Sequence, residues 1–73
     1  MPVSSTFVAL DLETTGLDLE RDGVTEIGLV RFDLDGRELD SFSTFVNPGQ
    51  PIPLFVQKLT GVTDADTAGA LPL

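Results

Sequence analysis

Seventy-three residues suffice for one small domain at most, and 41% apolar with 22% charged content marks a folded rather than a disordered chain. A net charge of −8, with only Arg21, Arg31, Arg37 and Lys58 as cations, excludes nucleic-acid binding through a basic surface of its own, so a polyanionic substrate needs metal ions at carboxylates or basic groups from elsewhere. Without cysteine there are no disulfides or thiolate zinc sites, and without histidine or tyrosine the commonest general base is missing. The N-terminus has no basic or long apolar segment and no stretch nears the ~20 apolar residues of a membrane span, so a cytoplasmic protein with no membrane partner is expected.

The elements follow in chain order. Phe7–Leu12 is a short apolar run that reads as a buried strand, ending in the turn Thr14-Thr15-Gly16. Gly16–Gly23 is a polar loop with Leu17 and Leu19 as candidate anchors. Thr25–Phe32 is a second strand, apolar enough to be central in a sheet. Asp33-Leu34-Asp35-Gly36 is a hairpin turn, because Asp-Gly supplies the positive φ that tight hairpins require. Arg37–Val46 alternates in part and suits a strand with one wet face at the sheet edge. These segments make a three-stranded antiparallel meander. The prolines of Asn47–Pro53 preset φ and stop the third strand. A short helix then spans Leu54–Leu59, with Phe55 and Leu59 on one face and Gly61 as its left-handed terminator. Thr63-Asp64-Ala65-Asp66 has the form of a capping box, so a second helix begins at Asp64.

The chemistry concentrates at the end of the first strand. Residues i and i+2 of a strand share a face, so Asp11 and Glu13 stand side by side. Two adjacent carboxylates repel unless a cation sits between them, and hard oxygen ligands suit Mg²⁺ or Mn²⁺, which leave positions for water and phosphate. In a two-metal phosphoryl-transfer site the bridging ligand lies at the centre, and Asp11 is assigned that place. Two carboxylates are too few for two ions, so at least one more comes from elsewhere. Thr14, Thr15 and Gly16 either line the path of a nucleotide or form a turn held by threonine side chains, with Gly16 at positive φ. Glu26 is either an inward-facing partner of this threonine loop or a solvated strand residue. Thr60 and Gly61 either contact substrate or simply end the helix. Asp18, Glu20 and Asp22 lack the glycine and distal glutamate of a calcium loop and read as a solvated loop.

Phe7–Asp18 (Phe-Val-Ala-Leu-Asp-Leu-Glu-Thr-Thr-Gly-Leu-Asp) followed by Val24–Phe32 resembles the first motif of the DnaQ-like (DEDD) 3′→5′ exonucleases, which include the proofreading subunit of bacterial replicative polymerase. Phe42–Pro53 and Lys58–Asp66 are similar to that family's third strand and following helix, so the resemblance runs from about Thr6 to Asp66. It implies an α/β, ribonuclease-H-like mixed sheet with helices on both sides, of which this chain would hold only the N-terminal three-stranded meander and one or two short helices. It implies hydrolysis of a 3′-terminal phosphodiester with release of nucleoside monophosphates, through a two-metal Mg²⁺ or Mn²⁺ site. Asp11 and Glu13 match the family's first two metal-binding, catalytic acids. Thr14, Thr15 and Gly16 match its terminal-nucleotide loop, and Asp11, Leu12 and Glu13, with Thr60 at the helix end, complete the residues expected at the substrate. The family's third and fourth acids and its His or Tyr base have no counterpart here, so residues 1–73 read as the N-terminal part of one exonuclease domain, inactive and marginally folded alone. The implied partners are single-stranded or 3′-terminal nucleic acid, DNA ahead of RNA, and a polymerase or helicase.

Two alternatives belong to other classes. A non-catalytic docking module of a polymerase or helicase would keep the fold without turnover. A haloacid-dehalogenase-type phosphatase also has a strand ending in Asp-x-Asp-x-Thr, but Glu13 replaces its acid and a hairpin replaces its helical flap.

Overall fold

The computed structural model describes residues 5–18 and 20–73; Leu19, a candidate anchor above, lies outside the described residues. Three strands, β1 (Thr6–Thr14), β2 (Val24–Asp33) and β3 (Glu38–Phe45), are followed by α1 (Leu54–Thr60) and α2 (Asp64–Ala68). Both strand pairings are antiparallel and the order is β1-β2-β3, so the expected meander with a central second strand is what forms. The β2–β3 hairpin closes through the four residues Leu34–Arg37, of which Gly36 has φ +81°. Asp33 ties the loop: its carbonyl accepts from the Gly36 N–H at 3.0 Å and its Oδ1 from the Asp35 and Arg37 N–H groups at 2.9 Å.

The helices end as their sequences dictate. Gly61 follows α1 at φ +79° and donates its N–H to the Gln57 carbonyl at 2.8 Å, a left-handed terminator that any side chain would strain. Thr63 and Asp66 form a reciprocal capping box on α2: the Thr63 N–H donates to Asp66 Oδ2 at 2.9 Å and the Asp66 N–H to Thr63 Oγ1 at 3.3 Å. Asp64 also fastens α2 to the proline-rich segment by accepting the Ile52 N–H at 2.8 Å.

Burial departs from the sequence reading. Phe7–Leu12 is a strand but not a buried one: all six residues are exposed, Val8 and Leu10 at 61%. Pairing with β2 sets Phe7, Ala9, Asp11 and Glu13 on one face and Val8, Leu10 and Leu12 on the other. Neither helix makes an extended contact with the sheet, so both faces stand open. The buried apolar side chains are instead Val46, Ile52, Val56 and Val62, the last three in one small cluster at α1 and its flanking turns. Leu17 is likewise no anchor, being 98% exposed. The radius of gyration, 15.2 Å, exceeds the roughly 11 Å of a compact domain of this length, as an uncovered sheet requires. Among the described residues no helix is long and apolar enough to cross a membrane.

Two polar features bear on stability. Arg31 and Asp40, partners across β2 and β3, make a bidentate pair with both N···O distances at 3.0 Å. Hydrogen bonds from the guanidinium hold the Asp40 carboxyl below its ordinary value, so this contribution is present at neutral pH and is lost as pH falls through the lowered pKa. Both side chains are exposed, so the contribution is small. Thr25 is fully buried and its hydroxyl has no partner among the described residues. Thr25→Val, which keeps the shape and removes the unpaired hydroxyl, is therefore expected to stabilise the protein by about 1 kcal/mol. A denaturant midpoint unchanged or lowered in the variant would count against that assignment.

Candidate active site

β1 delivers the two acids to the open edge of the molecule. Asp11 is exposed and Glu13 half-buried, and a register shift between Glu13 and Thr14 ends the regular pairing with β2 immediately afterwards. Gly28 lies directly opposite Asp11. A side-chain carbon at Gly28 would approach only the Asp11 carbonyl, at 3.9 Å, so the space above this pair is open. Opposite Glu13 stands Glu26, half-buried and also paired with Phe45 of β3. Three carboxylates thus share one face, and directly opposed like charges are unfavourable. Among the described residues no three acids converge closely enough to hold a metal ion. Asp11 and Glu13 fit a hard divalent cation as two of its ligands, with further ligands required.

The turn after β1 is built from threonine side chains. Thr14 Oγ1 donates to the Gly16 carbonyl at 2.6 Å. Thr15 is 1% exposed and turned inward. Its N–H donates to the Gly23 carbonyl at 2.9 Å, its Oγ1 donates to Asp22 Oδ1 at 2.8 Å, and the same oxygen accepts the Gly23 N–H at 3.1 Å. Thr15 therefore meets no ligand through its side chain. Gly16 is not at positive φ; the described glycines that are include Gly36, Gly49 and Gly61. What Gly16 requires is space, since a side-chain carbon there would lie 2.5 Å from Asp22 Oδ2. The loop's carboxylate partner is thus Asp22, not Glu26. This also corrects the reading of Asp18, Glu20 and Asp22 as uniformly solvated, because Asp22 is half-buried and fully engaged.

A cleft of about 510 Å³ opens beside the turn, within the roughly 300–1,000 Å³ typical of ligand sites. Leu12, Glu13, Thr14 and Gly16 form one wall, and Phe55, Leu59 and Thr60 of α1 form the other. Five of the seven residues assigned to substrate therefore meet here, while Asp11 and Thr15 lie outside the lining. Thr60 spends its hydroxyl proton on the Val56 carbonyl at 2.9 Å and accepts the Val62 N–H at 3.2 Å, so it serves the helix end as well as the cleft. Phe55 and Leu59 are 72% and 82% exposed, whereas Val56 is the α1 residue facing the core. The sequence reading placed both on one helix face without giving that face a role; the available signal was an apolar i, i+4 pair on a helix whose core contact falls on another residue.

A three-stranded antiparallel meander whose first strand ends in two acids on one face has the arrangement of a ribonuclease-H-like sheet. The structure matches a crystal structure described as a full-length 3′-exonuclease with a TM-score of 0.84 at 19% identity, over 99% of this chain and 26% of that one. The chain belongs to the exonuclease family represented by the RNase_T model, which matches residues 8–72. It is 43% identical over 67 residues to the DNA polymerase III subunit epsilon of Aquifex aeolicus, covering 92% of this chain and 33% of that protein. It is 46% identical over 59 residues to a PolC-type DNA polymerase III of Caldanaerobacter subterraneus, covering 81% of this chain and 4% of that one. A PolC-type DNA polymerase III of Streptococcus pyogenes is 36% identical over 69 residues, covering 94% of this chain and 5% of its own length. The chain thus spans a third or less of the length of these relatives.

Proposed function

We propose that this chain carries the first two metal-binding acids and part of the terminal-nucleotide cleft of a 3′→5′ exonuclease that hydrolyses the last phosphodiester of a nucleic-acid strand. The observation that carries this reading is the cleft itself, where Glu13 stands at the edge of a slot walled by a threonine-glycine turn and by Phe55 and Leu59. An apolar wall suits a nucleobase, which stacks on aromatic side chains, and the carboxylate edge suits a phosphate approached through a cation. Asp11 and Glu13 would hold Mg²⁺ or Mn²⁺. Such ions, when bound, supply Lewis-acid stabilisation at the phosphoryl oxygens. The backbone of the Thr14–Gly16 turn and the face of Phe55 orient the terminal nucleotide, and Leu59 and Leu12 exclude water from one side of it.

Residues 1–73 serve as the N-terminal part of one exonuclease domain, and the remaining ligands and the general base come from sequence following Leu73. The open sheet faces support this, as does the extra length of the relatives. On this reading the isolated segment turns over no substrate and folds only marginally, since its small core offsets little chain entropy. DNA is the preferred substrate and a DNA polymerase the partner, and the relatives' names as DNA polymerase III proteins support both; the cytoplasm is the proposed site of action. Membership of the exonuclease family leaves the phosphatase alternative without support.

The test is a 5′-labelled single-stranded oligonucleotide incubated with the full-length protein and Mn²⁺. A ladder shortening stepwise from the 3′ end is expected, and it should vanish on chelation. Uncut substrate in the presence of Mn²⁺ would overturn the proposal.

A further inference from the structure

The wall formed by Thr14 and Gly16 has to be held in place, and one carboxylate outside the cleft does so. Asp22 is not among the cleft-lining residues. Its Oδ1 accepts the Thr15 hydroxyl proton at 2.8 Å and its Oδ2 accepts the Asp18 N–H at 2.8 Å. The same Oδ2 occupies the space a side chain at Gly16 would need. Thr15 passes this constraint on, because its hydroxyl oxygen and its N–H bind both backbone groups of Gly23. Gln50 adds a second brace: its Oε1 lies 3.4 Å from Thr15 Oγ1, and its amide donates to the Arg21 carbonyl at 2.6 Å. Both oxygens of Asp22 are thus engaged by the turn and its loop.

We infer that Asp22, acting through Thr15, is a positioning residue that fixes the Thr14–Gly16 wall against the terminal nucleotide. The inference rests on the exonuclease reading for its substrate, but not for its geometry. Removing the carboxylate leaves the Thr15 hydroxyl and the Asp18 N–H to find other partners and frees the turn to shift. A displacement of about 1 Å in a substrate-positioning element is enough to cost on the order of a hundredfold in rate, so a measurable defect is expected. It should fall on KM more than on kcat, because the acids on β1 are untouched.

The experiment uses the full-length protein with Asp22→Ala, Thr15→Val, the double variant, and Thr15→Ser as the conservative replacement. KM for a 3′-terminal oligonucleotide is expected to rise about tenfold in each single variant and by clearly less than the product of the two in the double, since both break the shared Asp22–Thr15 bond. Thr15→Ser, which keeps the hydroxyl, should restore the wild-type KM. An unchanged KM in Asp22→Ala, or a double variant showing the product of the single effects, would overturn the inference. Amide hydrogen exchange separates this from failure of the nuclease reading. Exchange at Thr15 and Gly23 should quicken in Asp22→Ala while Leu29 and Phe42 stay unchanged, whether or not the protein cuts DNA. Unaltered exchange at Thr15 and Gly23 would overturn the inference independently of activity.

Discussion

Asp11→Asn is expected to lower nucleotide release by the full-length protein about a thousandfold or more, the scale of losing a charge that stabilises a phosphoryl-transfer transition state. The same change should leave stability unharmed. Asp11 is exposed and its carboxylate makes no hydrogen bond among the described residues, so no packing or polar network depends on it. Its charge adds instead to a face already carrying Glu13 opposite Glu26. Neutralising one member relieves repulsion, and the melting temperature should hold or rise slightly. Loss of activity together with unfolding would point to a structural role; loss of activity with retained stability identifies a ligand. Rates measured beside thermal melts of wild type and variant decide between them.

Phe55→Ala is the second large effect. Phe55 is 72% exposed and stands outside the Ile52, Val56 and Val62 cluster, so truncating it opens no cavity in the core. Stability should change by less than about 0.5 kcal/mol in the segment as seen here, the range of surface substitutions. Binding should change much more, because stacking a base on an aromatic ring is worth ~1–3 kcal/mol and every base offers a π-face. KM is therefore expected to rise roughly 5- to 150-fold, with kcat less affected and little dependence on the identity of the terminal base. Phe55→Leu should fall between. Steady-state kinetics on oligonucleotides differing only at the 3′ base test this; a KM within twofold of wild type would remove Phe55 from the nucleotide's environment.

How far the sequence could be read depended on whether the deciding interaction was local. The strands, the Asp35-Gly36 hairpin, Gly61 as a left-handed terminator and the Thr63–Asp66 capping box each rest on residues within a few positions of one another, and all appear as read. Burial was the main error. Apolar strand residues such as Val8 and Leu10 signal that a face is meant to be covered, but the signal does not say by what, and here nothing lies over them. Asp22 was missed for a different reason. Within the run Asp18, Glu20, Asp22 its composition matches a solvated loop, and its bond to Thr15 spans seven residues with no periodicity to announce it. Gly16 illustrates the same limit, since a glycine before a loop suggests positive φ, whereas the need here is for space beside a carboxylate. That Asp11 and Glu13 share a face was legible because a spacing of two on a strand fixes it, while the metal site proposed for them follows only from counting ligands.

The most direct test of the account is a Mn²⁺ titration of the full-length protein, following free Mn²⁺ by electron paramagnetic resonance, with wild type, Asp11→Asn and Glu13→Gln side by side. Wild type should remove Mn²⁺ from solution at a saturable site, and each variant should lose that binding while the protein stays folded. Equal Mn²⁺ uptake by all three proteins would contradict the assignment of Asp11 and Glu13 as the metal-binding acids of this site.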